Sequence, residues 1–147
     1  MTKRIAIFAS GTGTNFDALH QAITTRQLPV TVALLVCDQP DAPVIKKAQA
    51  VNVPVLIVNF RDYQNKAAAE DIILTALQAH QIEAVLLAGY MRIIGPTLLN
   101  AYPHKIINIH PALLPHFPGR HGIEDAFAAG VSETLSLIHI SEPTRLR

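Results

Sequence analysis

The chain alternates short, almost uninterrupted apolar runs with longer segments whose apolar residues recur at helical spacing. The runs fall at Arg4–Ala9, Val30–Val36, Pro54–Val58, Ala84–Leu87 and Ile106–Ile109. Strands that are apolar at nearly every position are typical of a sheet that is buried on both faces. Strands that alternate with helices require right-handed crossovers and a parallel sheet. We therefore predict a Rossmann-like, doubly wound α/β domain with a mostly parallel sheet.

Helices are predicted between these strands, at Asn15–Thr25, Val44–Val51, Tyr63–His80 and Pro96–Asn100. In the third of them, the helical spacing places Ile72, Ile73 and Leu77 on the inward face. No internal repeat, linker or low-complexity tract divides the chain, so the pattern predicts one domain.

The composition limits the classes of partner. Of the 147 residues, 50% are apolar and 16% are charged, and the net charge is +1. Binding to nucleic acid or to an anionic membrane rests on concentrated basic charge, so we expect neither partner. The single Cys37 cannot form an internal disulfide, and no apolar run reaches the length of about 20 residues that a membrane span needs. We expect a cytoplasmic protein that acts on small molecules, as a monomer or a weak homodimer.

A glycine-rich segment, Ser10–Asn15 (SGTGTN), lies between the first predicted strand and the first predicted helix. Glycines allow a tight turn and a close approach of the backbone to a ligand, and the free amides at a helix start favour an anion. The segment predicts a phosphate monoester held by Gly13, Thr14 and Asn15. A glycine turn with a helix cap and no ligand is the structural alternative.

A dinucleotide site is a second alternative for this loop. The dinucleotide fingerprint requires a further glycine three residues after Gly13, where the chain has Phe16. Asp38, at the end of the second strand, is the one feature that suits a ribose-binding acid. An NAD-linked oxidoreductase and a non-catalytic phosphate-binding module therefore stay open as functions.

Asn108 and His110 interrupt the last apolar run where that run ends. Side chains alternate along a strand, so these two point to the same side, about 7 Å apart. They lie at the carboxyl end of a parallel strand, on the edge where open α/β sheets bind ligands and where the glycine loop also opens. An asparagine amide can donate to a developing oxyanion, and an imidazole can act as a general acid. The pair suits direct transfer of a group to an amine.

Two other chemistries are less well supported by the sequence. Ser10 has no neighbouring base, so no activated nucleophile is visible. The spacing of the histidines near the end of the chain fits neither a helical pair nor a thiolate-assisted site, so we predict no metal. Those histidines are His104, His110, His116 and His121.

Three segments together carry a resemblance to a known family: SGTGTN at 10–15, AGYMRIIGP at 88–96 and NIHPALLPHFPG at 108–119. From Arg4 to about Thr134 the chain resembles the folate-dependent phosphoribosylglycinamide (GAR) formyltransferases of purine biosynthesis. The resemblance implies the formyltransferase type of Rossmann-like fold. It also implies transfer of a formyl group from 10-formyltetrahydrofolate, the co-substrate, to the amine of 5-phosphoribosylglycinamide. Related enzymes share the Asn-x-His loop, so another formyltetrahydrofolate-using transferase or hydrolase is a further alternative.

The resemblance implies roles for the candidate residues on the substrate side. Gly13, Thr14 and Asn15 would hold the phosphate of the ribonucleotide. Asn108 would bind the formyl oxygen of the co-substrate, and His110 would be the proton donor.

On the folate side, the resemblance implies a pocket lined by Met91, Arg92, Ile93 and Ile94, with main-chain groups reading the pteridine. Lys66 falls where the family has a basic residue that contacts the formylfolate. Ordinary core packing is the alternative for Met91 and Ile93, but it explains Arg92 poorly.

After Thr134 the sequence departs from the family pattern. The family continues with a loop whose aspartate pairs with the catalytic histidine and raises its pKa, whereas residues 135–147 read LSLIHISEPTRLR. The carboxylates near this point, Glu133 and Glu142, do not stand in the family's context. We expect residues 1–134 to be an incomplete formyltransferase domain that lacks its C-terminal part, and residues 135–147 to be an artefactual, non-family tail. We also expect little transferase activity from the 147-residue chain.

Overall fold

The structure, a computed structural model, describes residues 2–109 of the chain. The predictions that concern His110 and the boundary after Thr134 lie outside the described residues. The elements are, in chain order, β1 (Lys3–Ala9), α1 (Thr14–Thr25), β2 (Val30–Cys37), α2 (Pro43–Ala50), β3 (Val55–Ile57), a 3₁₀ turn (Phe60–Asp62), α3 (Lys66–Ala79), β4 (Ala84–Leu87), α4 (Pro96–Ala101) and β5 (Ile106–Asn108).

The five described strands form one parallel sheet in the order β3-β2-β1-β4-β5. The chain winds outward from β1 through β2 to β3, and then returns to place β4 and β5 on the other side of β1. This order is that of a doubly wound sheet. The predicted fold class is confirmed.

Helices cover both faces of the sheet. Along β1, Ile5 and Ile7 face the core shared with α1 and α2, whereas Ala6 and Phe8 face the core shared with α3 and α4. All four side chains are at most 1% exposed. Burial on both faces is the physical reason why the strands read as continuous apolar runs.

The third helix is shorter than the predicted Tyr63–His80. The side chain of Asn65 accepts a hydrogen bond from the amide of Ala68 at 2.8 Å, so Asn65 caps the helix and Lys66 is its first residue. The preceding Phe60–Asp62 forms a separate 3₁₀ turn. A cap ahead of the apolar stripe therefore sets the start of α3.

One predicted inward residue of α3 is wrong. Ile73 and Leu77 are fully buried, as predicted, but Ile72 is 43% exposed. At about 100° per residue, the buried stripe of α3 runs through Ala69, Glu70, Ile73 and Leu77, and Ile72 falls outside it.

Candidate active site

The carboxyl ends of β1, β4 and β5 lie side by side at one edge of the sheet. The direction of winding reverses between β1 and β4, and open α/β sheets bind ligands at such a switch point. The loop after β1 carries Ser10–Asn15, the loop after β4 carries residues 88–95, and Asn108 ends β5. The structure thus brings the first two predicted segments and Asn108, the first residue of the third segment, to one edge.

The turn between β1 and α1 depends on Gly13. Its φ of +87° is left-handed, and a Cβ on this residue would lie 2.8 Å from Cγ2 of Val44. The amide of Val44 donates a hydrogen bond to the carbonyl of Gly11 at 3.1 Å. Glycine satisfies both the backbone conformation and the close contact with α2.

The start of α1 has the features of an anion site. Among residues 2–109, no side chain caps this helix, so its first amides are available to a ligand. Thr14 is exposed, and Asn15 is 8% exposed. The carboxylate of Asp17, in the same turn, is paired with Nζ of Lys47 at 2.8 Å, which offsets its negative charge. Gly13, Thr14 and Asn15 lie together here, and phosphate binding by them stays a prediction.

Ser10 joins the loop after β1 to the loop after β4. Its amide donates to the carbonyl of Gly89 at 3.2 Å, and its Oγ accepts a hydrogen bond from the amide of Met91 at 2.9 Å. Gly89 has a φ of +80°, and a Cβ there would lie 3.8 Å from Nδ2 of Asn15. The two loops therefore form one connected surface, with Ser10 8% exposed inside it.

The predicted folate-pocket residues divide into two groups. Met91 is 78% exposed and Ile93 is 58% exposed, so core packing does not account for either side chain. Ile94 is 8% exposed and packs in the core beneath α3 and α4. Arg92 is partly buried and turns inward. The contact of these residues with folate stays a prediction.

Arg92 is held by residues from two other loops. Its Nε donates to Oδ2 of Asp38 at 3.1 Å, and its guanidinium carbon lies 4.3 Å from the ring centroid of Phe60. The second contact is a cation–π interaction. Asp38 is 2% exposed, and its Oδ1 has no hydrogen-bond partner within residues 2–109. The residue that the sequence offered as a ribose-binding acid is engaged by Arg92.

Two further polar groups lie in or beside the loop after β4, the half-buried Tyr90 and the buried Glu70. The ring of Tyr90 packs edge-on against Phe8 at 5.2 Å, and burial, with a smaller contribution from the Asp38 charge, raises the pKa of the Tyr90 hydroxyl. Glu70 is 2% exposed and accepts a hydrogen bond from the amide of Gly95 at 2.8 Å. Burial raises the pKa of Glu70. This carboxyl group holds the far end of the loop.

Lys66, the basic residue that is predicted to contact the folate, is the first residue of α3 and is exposed. It lies one helical turn before Glu70, whose carboxyl group contacts Gly95 in the loop after β4. The structure therefore places Lys66 on the helix that borders this loop, and its contact with the donor stays a prediction.

Asn108 ends a row of residues that runs across the sheet. In register, the row reads Leu56, Val36, Phe8, Leu87 and Asn108. Four members are apolar and pack in the core on the α3 and α4 face. Row neighbours in a sheet point to the same face, so the amide of Asn108 lies on that face, partly exposed. His110 is outside the described residues, so its place beside Asn108 stays a prediction.

Within the part of the chain that the structure describes, no group of three or more His, Cys, Asp or Glu side chains could hold a metal ion. The predicted absence of a metal also concerns His110, His116 and His121, which lie beyond that part. In the same part of the chain, no helix is both long enough and apolar enough to cross a bilayer.

The contact between Glu70 and Gly95 was not predicted, although the sequence contains a sign of it. Glu70 stands at helical spacing from Ile73 and Leu77, so an acid occupies the buried stripe of α3. The contact between Ser10 and Met91 joins residues that are 81 positions apart. No local pattern could have indicated that contact.

The comparisons with known proteins agree on one family. A formyl transferase family profile matches residues 3–142. The phosphoribosylglycinamide formyltransferase of Bacillus subtilis (strain 168) is 47% identical over 137 residues, which cover 93% of this chain and 70% of that protein. The phosphoribosylglycinamide formyltransferase of Mycobacterium tuberculosis (strain ATCC 25618 / H37Rv) is 36% identical over 137 residues, which cover 93% of this chain and 63% of that protein.

Solved structures give the same result. The glycinamide ribonucleotide transformylase 1 of Geobacillus kaustophilus matches with a TM-score of 0.73 and 55% sequence identity, over 88% of this chain and 69% of that chain. The chain thus spans 63% to 70% of the length of these three relatives.

Proposed function

The chain belongs to the formyl transferase family. We propose that the full-length protein, in which the family's C-terminal part completes residues 1–134, transfers a formyl group from 10-formyltetrahydrofolate to the amine of 5-phosphoribosylglycinamide in purine biosynthesis. One observation carries the proposal: the glycine turn, the loop after β4 and Asn108 meet at the switch point of the sheet. The relatives described above carry the name of this activity.

The phosphate of the ribonucleotide is assigned to Gly13, Thr14 and Asn15. The uncapped start of α1 supports this assignment, because amides that lack a partner in the helix can donate to phosphate oxygens. The pairing of Asp17 with Lys47 supports it as well, because a free carboxylate in the first turn would repel the anion.

The folate is assigned to the loop after β4 and to Lys66. A folate combines a flat aromatic ring system with an acidic tail. Met91 and Ile93 offer exposed apolar surface, and Lys66 offers an exposed ammonium group on the neighbouring helix. Ile94 supports the loop from below, and Arg92 anchors it. The residues present therefore fit the proposed co-substrate.

In the reaction, the amine nitrogen of the ribonucleotide forms a bond to the formyl carbon, and the bond between that carbon and the folate nitrogen breaks. Negative charge develops on the formyl oxygen, and the side-chain amide of Asn108 would donate a hydrogen bond to it. The amine loses a proton and the departing folate nitrogen gains one. His110 is proposed as the donor of that proton, because an imidazole has both protonation states accessible near neutral pH.

The alternative of NAD-linked oxidoreduction receives less support from the site. Asp38, which would bind a ribose, is engaged by Arg92, and the third glycine of the fingerprint is missing. A folate analogue is expected to raise the melting temperature of the full-length protein, whereas NADH is not. Stabilisation by NADH together with no effect of the folate analogue would overturn the proposal.

Several finer properties of the protein stay predictions. A cytoplasmic location, and the absence of nucleic-acid and membrane partners, are predicted from the charge, the single cysteine and the short apolar runs. A monomeric or weakly dimeric state is also predicted. The low activity of the 147-residue chain and the artefactual nature of residues 135–147 are predicted from the departure after Thr134, although the family profile matches as far as residue 142. Sedimentation of the full-length protein tests the oligomeric state, and resequencing of the source DNA beyond the codon for Thr134 tests the tail.

A further inference from the structure

The segment Met91-Arg92-Ile93 has its charged side chain turned inward and its apolar side chains turned outward. Met91 and Ile93 are 78% and 58% exposed, whereas the side chain of Arg92 is 35% exposed. Burial of apolar rather than charged groups is the usual arrangement of a stable loop. The inversion therefore needs a specific interaction that holds Arg92 inside.

Asp38 and Phe60 supply that interaction. Asp38 follows β2 and accepts a hydrogen bond from Nε of Arg92, and Phe60 follows β3 and lies beneath the guanidinium group. The planar guanidinium group can use both contacts at once, through an in-plane hydrogen bond and a stacked face. The side chain of Arg92 thus connects the loops after β2, β3 and β4 at the carboxyl edge of the sheet.

The arrangement is poorly explained by stability alone. Asp38 is 2% exposed and has one carboxylate oxygen without a hydrogen-bond partner among the residues from 2 to 109. Buried ion pairs are often replaced by apolar residues at no loss of stability, because desolvation offsets their attraction. Apolar residues at both positions 38 and 92 would pack against Phe60 without burying a carboxylate. The pair must have another use if it is to justify this desolvation.

We propose that Asp38 is a positioning residue for the formyl donor: through Arg92 it fixes the backbone of residues 91–93 and keeps Met91 and Ile93 turned outward at the switch-point edge. The assignment rests on the proposed function, because it requires a folate to bind at this loop. Asp38 itself does not touch the reacting atoms. Its effect is to preorganise the surface to which the donor binds.

The position of the contacts predicts which substrate is affected. The Asp38–Arg92 contact fixes the middle of the loop after β4, whereas the turn at Gly13 is fixed by its contacts with α2. Ser10 joins the two loops through the backbone of Gly89 and Met91 and not through the side chain of Arg92. Loss of the pair should therefore weaken donor binding and leave ribonucleotide binding almost unchanged.

The test compares Asp38→Ala, Asp38→Asn and wild type in the full-length protein, at a temperature well below all melting temperatures. We expect Asp38→Ala to raise the KM for the formyl donor about tenfold, since misplaced positioning groups cost up to about 10²-fold, while the KM for the ribonucleotide changes less than about twofold. Asp38→Asn retains an oxygen acceptor for Arg92 and is expected to rescue most of the loss. Calorimetric titration with a folate analogue should reproduce the order of the three proteins.

Glu83→Ala is the matched control. It removes a carboxylate that contacts Lys3 and the Arg4 amide at the opposite edge of the sheet, far from the switch point. This variant should leave both KM values unchanged even where its melting temperature falls. If Asp38→Ala does not fold, Phe60→Leu decides, since it removes the ring that stacks on Arg92 and should raise the donor KM alone.

The outcomes are distinguishable. An unaltered donor KM, or an equal rise of both KM values, in an active Asp38→Ala enzyme would overturn the positioning role and leave the proposed function intact. A wild-type protein that binds no folate analogue and transfers no formyl group would overturn the proposed function and this role together.

Discussion

The amide of Gly95 donates a hydrogen bond to Oε2 of Glu70 at 2.8 Å, and this carboxyl group is 2% exposed. A Cβ on Gly95 would lie 2.8 Å from Oε1 of the same carboxyl group, so the loop approaches α3 too closely for a larger residue. The loop after β4 is therefore fixed at its end by a buried acid.

We expect Glu70→Gln to become more stable, relative to wild type, as the pH rises. Burial raises the pKa of Glu70, so its contribution to stability is fully present below the pKa of the unfolded chain and is lost as the pH rises through the folded pKa. Glutamine keeps an oxygen for the Gly95 amide and does not ionise. Melting temperatures of both full-length proteins between about pH 4 and pH 7 measure the effect, since the unperturbed pKa of Glu is about 4.3.

Asp71→Asn is the control for that series, because Asp71 is the exposed neighbour of Glu70 on the same helix. It removes a carboxylate without removing a buried contact. A constant difference between wild type and Glu70→Gln across this pH range would show that the burial of Glu70 does not affect its ionisation.

Gly13→Ala is expected to destabilise the full-length protein. A left-handed backbone costs a non-glycine residue about 1–2 kcal/mol, and the new Cβ would meet Cγ2 of Val44, which is fully buried, at 2.8 Å. Gly11→Ala is the matched control from the same loop, because nothing lies within 4 Å of a Cβ there. Denaturant unfolding should show a change within about 0.5 kcal/mol for the control. Equal losses for the two variants would contradict the described geometry of the turn.

The sequence predicted the strands well because burial on both faces leaves a strong signal. Ala84–Leu87 was predicted with its observed bounds, and the other four strands differ by one residue at one or both ends. Helix starts were harder to predict where a cap decides them, as Asn65 does for α3. The wrong placement of Ile72 arose because the local pattern did not show to which side of Ile73 the buried stripe of α3 extends. It extends through Ala69 and Glu70, away from Ile72.

The chemistry of the site was predictable where it is local in sequence. The turn at Gly13 and the polar end of β5 at Asn108 follow from residue types placed after apolar runs. The Asp38–Arg92 pair joins positions 54 residues apart. The charged Arg92 turns inward while the apolar Met91 and Ile93 turn outward, which is the opposite of what hydropathy predicts. Such contacts depend on tertiary packing, so no local sequence pattern predicts them.

Changes at Thr14 and Asn15 should act on the phosphorylated substrate. We expect Thr14→Ala and Asn15→Ala to raise the KM for the ribonucleotide by about tenfold, as the loss of a hydrogen bond to a charged group implies, with a smaller change in kcat. Thr24→Ala, at an exposed site in the last turn of α1, is the control. A rise in the donor KM instead would reassign the start of α1 to the folate.

Asn108→Ala and His110→Ala should each lower kcat by about 10²-fold or more, with smaller changes in both KM values, because their proposed contacts strengthen only in the transition state. Steady-state kinetics with each substrate varied in turn separates the two constants. Near-normal turnover of His110→Ala would remove His110 from the mechanism, and the same result for Asn108→Ala would remove the proposed oxyanion contact.

The most direct measurement follows the formyl group itself. The full-length protein is incubated with 10-formyltetrahydrofolate labelled at the formyl carbon, with and without 5-phosphoribosylglycinamide, and the products are identified by mass spectrometry. The account predicts that the label moves to the amine of the ribonucleotide and that little label leaves the folate when the ribonucleotide is omitted. Label that appears as formate regardless of the ribonucleotide, or that stays on the folate in its presence, would contradict the account.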